Sequence, residues 1–215
     1  YGEWTKKSGY AELAPGGTPT PLIWADKSIG APVVAKNADR MLFTQQTFTE
    51  YPNYWLSDKK FSAPKQVTDA APTLTKDFAW GTKQLIDYKN RFGQRLQATL
   101  TLPANAANAK NLPLVVLHYG GPWVRPISWQ WDPHVQFLAS RGYAVLMPAP
   151  RASTGFGWKL FRGGWKQWGL AMQDDVTDGV NDLIKRGIAD PKRICLAGAS
   201  YGGYLTMMGL VKEPN

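Results

Sequence analysis

The sequence predicts an α/β fold preceded by an antiparallel β-segment, and three observations carry that expectation. Up to about Pro72, short aromatic and β-branched stretches alternate with turn residues, and no helical periodicity occurs. From Leu112 onward, apolar strand-like runs alternate with helix-like segments, the pattern of helices packed on a largely parallel sheet. Near the carboxyl end, Gly198-Ala199-Ser200-Tyr201-Gly202 stands between two apolar runs, Ile194 to Ala197 and Tyr204 to Met208, and reads as strand, sharp turn and helix.

Taken in order, Leu22 to Trp24, Pro32 to Ala35, Arg40 to Thr44 and Asn53 to Leu56 are expected as strands of a meander. The turns between strands are marked by Pro15-Gly16-Gly17, Ala25-Asp26-Lys27 and Ser57-Asp58-Lys59. A propeller blade takes roughly 40 to 45 residues, so residues 1–72 would hold between one and two blades. This segment is therefore expected as the C-terminal part of a β-propeller, with a small independent β-domain as the alternative. The stretch from Ala70 to Ala79 reads as a linker, which sets the second domain at residues 73–215.

Within that second domain, Lys83 to Tyr88 and Arg95 to Leu102 alternate with period two and form an antiparallel pair turning around Asn90 to Gly93. Next come a strand at Leu112 to Leu117, a helix from Val135 to Ser140 stopped by Gly142, and a strand at Tyr143 to Met147. A helix over Asp174 to Arg186 follows, with Val176, Val180, Leu183 and Ile184 on one face and Gly187 at its end. The elbow strand begins after Pro191.

Composition bounds the function classes. With 44% apolar and 13% aromatic residues the chain has ample material for a core. Its net charge of +9 is scattered in single residues and pairs such as Lys6-Lys7, which predicts a generally cationic surface and no nucleic-acid partner. The single cysteine, Cys195, is expected as a small buried apolar residue in the elbow strand, and it allows no intrachain disulfide. No histidine or cysteine cluster suggests a metal, and no cofactor motif occurs, Gly155 to Gly157 and Gly163-Gly164 being read as flexible loop. No apolar run approaches the roughly 18 residues of a membrane span, so a soluble protein is expected, cytoplasmic, periplasmic or secreted.

The chemistry is concentrated in three loops after three successive strands: His118-Tyr119-Gly120-Gly121-Pro122-Trp123, Pro150 to Gly157, and Gly198 to Gly203. Loops at the carboxyl ends of strands converge at one sheet edge. The third is a nucleophile elbow, which gives an α/β-hydrolase domain running through the elbow, with Ser200 as nucleophile. In that fold an acid and then a histidine follow the nucleophile. The tail after Ser200 holds Glu213 and no histidine, so both groups are expected from polypeptide outside this chain, and the chain alone is expected to be inactive. Opening on Tyr1-Gly2-Glu3-Trp4, it is expected to continue beyond its amino end as well.

These strings resemble the prolyl oligopeptidase family of serine peptidases, above all its dipeptidyl peptidase and acylaminoacyl peptidase branches. Tyr119-Gly120-Gly121-Pro122, Arg151-Ala152-Ser153-Thr154-Gly155-Phe156-Gly157, Gly187 to Pro191 and Ser200-Tyr201-Gly202-Gly203-Tyr204 carry the likeness, which covers Trp80 to Asn215 well and the β-segment loosely. The resemblance implies that Ser200 forms an acyl-enzyme with a short peptide. It further implies that the Tyr201 backbone N–H and the Tyr119 hydroxyl hold the oxyanion, with Tyr201 also lining the substrate pocket. Ala152 stands where the family commonly has glycine, and Ala199 where it often has tryptophan, departures that bear on pocket shape and loop packing.

Several residues carry competing readings. His118 is read as a structural histidine, since it precedes the nucleophile and Tyr119 interrupts the glycine run, and His134, at the expected start of a helix, as a surface or capping residue. Asp174, Asp175, Asp178 and Asp182 are read as offsetting the positive end of a helix dipole, with Arg151 a candidate partner for one of them. Trp123, Trp129, Trp131, Trp158, Trp165 and Trp168 would form an apolar substrate pocket, a lid or core packing. The functional alternatives are an esterase of the same fold and a catalytically silent binding protein; a homo-oligomer is also open.

Overall fold

The computed structural model describes residues 1–70, 77–106, 108, 110–119 and 124–214. These fall into two compact units, Tyr1–Phe78 with Ser128–Asp132, and Ala79–Ile127 with Pro133–Asn215. Part of the segment read as a linker lies outside the described residues.

The first unit is built of antiparallel strands. β1 (Ser8–Glu12) pairs with β2 (Thr20–Ala25). β3 (Ser28–Ile29) and β4 (Val33–Val34) lie one after the other along the same edge of β5 (Met41–Gln46), whose other edge takes β6 (Asn53–Ser57) and then β7 (Lys65–Gln66). The break between β3 and β4 falls at Gly30, where a Cβ would lie 2.2 Å from Thr44 Oγ1, so glycine is required for the close approach. Met41 and Phe43, alternate residues of β5, bury with Phe61 to form the core, and Phe61 packs edge-on against Phe43 and stacks on Tyr10. The segment Ser128–Asp132 belongs with this unit: Trp131 packs edge-on against Tyr51 at 5.7 Å and donates its backbone N–H to Gln46 Oε1.

The second unit is a five-stranded sheet with helices on both faces. Its strands are β8 (Thr82–Lys89), β9 (Arg95–Leu102), β10 (Leu112–Leu117), β11 (Ala144–Ala149) and β12 (Ala189–Ala197), in spatial order β12-β10-β11-β9-β8. β12, β10 and β11 are parallel, and β9 and β8 join them antiparallel through the predicted hairpin. One face carries Leu96, Leu100, Leu114, Val116 and Leu146, buried under Val176, Val180 and Leu183 of α3 (Ala171–Lys185). On the same face α4 (Tyr201–Lys212) packs on β12, its Gly209 seated against Leu196. α1 (Pro133–Ser140) covers the opposite face over β11 and β9 with Val135 and Ala139, and α2 (Trp158–Arg162) is a short helix in the loop after β11.

Three expectations change. The elbow strand starts at Ala189 rather than after Pro191. Cys195 is exposed rather than buried: it stands in register with Val115 on the face of α1, and α1 packs on β11 and β9 without extending over β12. The helix expected from Asp174 starts at Ala171, three residues earlier, because the apolar Ala171 and Met172 bury in its first turn.

Candidate active site

β12 runs into α4 through Gly198-Ala199-Ser200, and the turn between them forces Ser200 to φ 54° and ψ −122°. A β-carbon crowds its own backbone at positive φ, so a non-glycine residue here stores strain of about 1–3 kcal/mol. Neighbouring glycines permit the turn. A Cβ at Gly202 would lie 1.9 Å from the His118 carbonyl oxygen, and one at Gly198 would lie 2.5 Å from it. The Ser200 side chain is exposed and makes no hydrogen bond among the described residues, while its carbonyl accepts from the Tyr204 N–H at the start of α4.

Tyr201 is the first residue of α4, directly after Ser200, so its backbone N–H has no partner within the helix. Its ring is fixed on three sides. The hydroxyl donates to Met172 Sδ at 3.2 Å and accepts from the Gly169 N–H, Trp168 packs edge-on at 5.3 Å, and Tyr204 lies at 5.4 Å. Burial raises the pKa of this phenol, keeping it protonated. Tyr119 follows β10, half-exposed, its Cα 3.4 Å from where a Gly202 Cβ would stand and its hydroxyl unbonded among the described residues. Thus the start of the loop after β10, His118-Tyr119, lies directly on the elbow.

The loop after β11 reaches the same helix from another side. Ala152, at φ 74°, buries with Met172 and Leu205, and Tyr201 packs against that cluster. A Cβ on Gly164 would come 2.4 Å from the Cβ of Ala152, so close packing accounts for this glycine where flexibility was expected. The loop is anchored by Arg151, which grips Asp175 bidentately at 2.8 Å to each oxygen while its backbone N–H donates to Oδ2 at 2.9 Å. Asp175 is wholly buried and also accepts from Asn90 Nδ2, whose own Oδ1 holds the turn of the β8–β9 hairpin through the Phe92 and Gln94 N–H groups.

Ion pairing therefore explains the aspartates better than a helix dipole does. Only Asp174 lies in the first turn of α3, paired with Lys212 and Arg91; Asp178 pairs with Arg91, and Asp182 with Arg186. His118 is buried, its Nε2 3.0 Å from Thr206 Oγ1, and burial lowers its pKa to about 4. His134 is exposed in the first turn of α1. The described tryptophans have separate surroundings: Trp168 meets Tyr201, Trp158 stacks on Phe161, Trp165 is exposed, and Trp129 and Trp131 belong to the first unit. Trp123, with Gly120, Gly121 and Pro122, lies outside the described residues.

A cavity of about 690 Å³ lies elsewhere in the second unit, between the β8–β9 hairpin and α3. Its wall of Arg91, Arg95, Asp178, Asp182, Lys185 and Arg186 is charged and largely ion-paired, and none of the described residues of the three loops lines it. Among the described residues no group of three or more metal-ligating side chains occurs, and no helix is long and apolar enough to cross a membrane. Sequence reasoning did not single out Thr206 or Met172, which touch the loops but sit in no motif, nor did it separate Asp175 from its three neighbours on α3.

Comparison with known proteins shows what these features are similar to. Residues 129–215 match the Prolyl oligopeptidase family. Dipeptidyl aminopeptidase BIII of Pseudoxanthomonas mexicana is 39% identical over 137 residues, 60% of this chain and 20% of that protein. The dipeptidyl peptidase family member 6 of Caenorhabditis elegans is 34% identical over 148 residues, with the same coverage of 60% and 20%. The chain thus spans about a fifth of the length of these relatives. The acylaminoacyl peptidase of Pyrococcus horikoshii shares the fold, with a TM-score of 0.78 over 92% of this chain and 31% of that one at 22% identity. Residues 129–215 are thus similar to the prolyl oligopeptidase family, and the relatives that share 34–39% identity with this chain carry peptidase names.

Proposed function

We propose that Ser200 is the nucleophile of a serine peptidase acting on short peptides, of the dipeptidyl or acylaminoacyl type. The observation that carries this reading is the exposed Ser200 held at φ 54° where β12 turns into α4. Strain of this kind persists when the rest of the turn over-determines it, and the turn presents a hydroxyl clear of the sheet. In the reaction the Ser200 Oγ attacks the scissile carbonyl carbon, and the negative charge that develops on the oxygen is held by the Tyr201 N–H and the Tyr119 hydroxyl. Both donors are free of partners among the described residues and flank the elbow.

The attack requires a base to take the Ser200 proton. Burial and its bond to Thr206 occupy His118, and His134 sits on α1, so the acid–histidine pair is assigned to polypeptide outside this chain. The first unit is assigned to a β-propeller preceding the hydrolase domain, in keeping with its antiparallel meander. A fluorophosphonate probe applied to the full-length protein tests the nucleophile. Label on Ser200, lost in Ser200→Ala, is expected; a folded wild-type protein that takes no label sinks the assignment. For the oxyanion hole, Tyr119→Phe is expected to lower kcat by about 10²- to 10³-fold, and a near-wild-type kcat refutes that role.

A further inference from the structure

We propose that His118 and Thr206 form a positioning pair that locks the Tyr119 loop to helix α4, and so fixes the Tyr119 hydroxyl relative to Ser200 and the Tyr201 N–H. The inference rests on the nucleophile and oxyanion reading above and adds to it two residues that touch no reacting atom.

Hydrogen-bond accounting sets the arrangement. Thr206 has one hydroxyl proton, and it is donated to the Gly202 carbonyl oxygen at 2.9 Å, one turn back in α4. At the 3.0 Å contact with His118 the threonine oxygen must therefore accept, and the Nε2–H of the ring must donate. That assigns the neutral Nε2–H tautomer and leaves Nδ1 as a bare acceptor, buried and without a hydrogen-bond partner among the described residues. A hydrocarbon side chain would fill the same volume without an orphaned nitrogen, so packing alone gives no reason for imidazole here. What the ring supplies is a directed bond from the residue before Tyr119 to the helix after Ser200.

The backbone makes the same connection a second time. The His118 carbonyl oxygen lies 2.5 Å and 1.9 Å from where the β-carbons of Gly198 and Gly202 would stand, so strand end, loop start and helix meet without side chains on these glycines. Gly202 is therefore touched twice, by the His118 carbonyl on its α-carbon side and by the Thr206 hydroxyl on its own carbonyl. Tyr119 is half-exposed and its ring makes no hydrogen bond among the described residues, so its position depends on how the preceding residue is held. Misplacing a catalytic group by about 1 Å costs on the order of 100-fold in rate.

The test compares Thr206→Val, which removes the acceptor, with Thr206→Ser, which keeps it, in the full-length protein. Active sites are counted by fluorophosphonate titration. Expected for Thr206→Val is a fall in kcat per titrated site of about 10- to 100-fold, with KM within about 2-fold, while Thr206→Ser stays near wild type. In a Tyr119→Phe background the same Thr206→Val change is expected to cost less than about 3-fold, because the group being positioned is already gone. A full multiplicative loss in that background overturns the proposal, as does a drop only in the number of titratable sites with kcat per site unchanged. Failure of the wild-type protein to label on Ser200 would instead remove the underlying nucleophile reading before any variant is compared.

Discussion

At Ser200 side chain and backbone conformation make opposite demands. A glycine would relax at φ 54°, but only serine brings the hydroxyl, so Ser200→Gly is expected to raise stability by about 1 kcal/mol while abolishing probe labelling, read as a higher Tm in the unlabelled variant. An unchanged or lower Tm would show that the turn carries no strain. His118 adds a pH-dependent term. Burial brings its folded pKa down to about 4 from 6.5, so between those values the unfolded chain binds more protons and stability falls as pH drops through that window. The full difference corresponds to about 3 kcal/mol. His118→Gln should therefore lose less stability than wild type between about pH 7 and pH 4 in denaturant titrations, and equal slopes refute this. In the sequence, the glycines around Ser200 and the family resemblance at Tyr119 are what single out those two residues as candidates. The sequence was silent on Thr206, since a threonine inside an apolar helix carries no mark of what crosses to it.

Among the elements, the loop after β11 depends most on a single interaction. Asp175 on α3 binds Arg151 and, through Asn90, the hairpin between β8 and β9, so one buried carboxylate joins three elements. Asp175→Asn leaves a largely buried guanidinium without its counter-charge, and a loss of about 3–5 kcal/mol is expected in chemical denaturation; a loss below about 1 kcal/mol would mean the pair is dispensable. The hairpin and α3 were legible because periods of two and of three to four are strong signals over eight and fifteen residues. The start of α3 was missed because its first turn is marked by burial of Ala171 and Met172, not by a capping side chain. Cys195 was misplaced because an apolar strand does not reveal which of its faces a helix will cover.

For the whole molecule, the alternation of strands and helices predicted an α/β sheet, and the structure adds the strand order that sequence periodicity cannot supply. That order brings Leu112–Leu117 beside Ala189–Ala197 and so sets His118-Tyr119 next to the turn at Ser200. The segment Ser128–Asp132 joins the first unit although sequence order places it within the second, since its tryptophan finds an aromatic partner there. Sheet order has a consequence in time as well. The β8–β9 hairpin closes a turn of five residues, Asn90 to Gln94, between neighbouring strands, whereas Val115 meets Cys195 only after the 79 residues between them have been folded away. Contacts of long sequence separation carry the larger loop-closure entropy and form later. The turn at Ser200 hangs from that late pairing, so during refolding the hairpin should gain its structure first and the strained turn at Ser200 should form in the last phase.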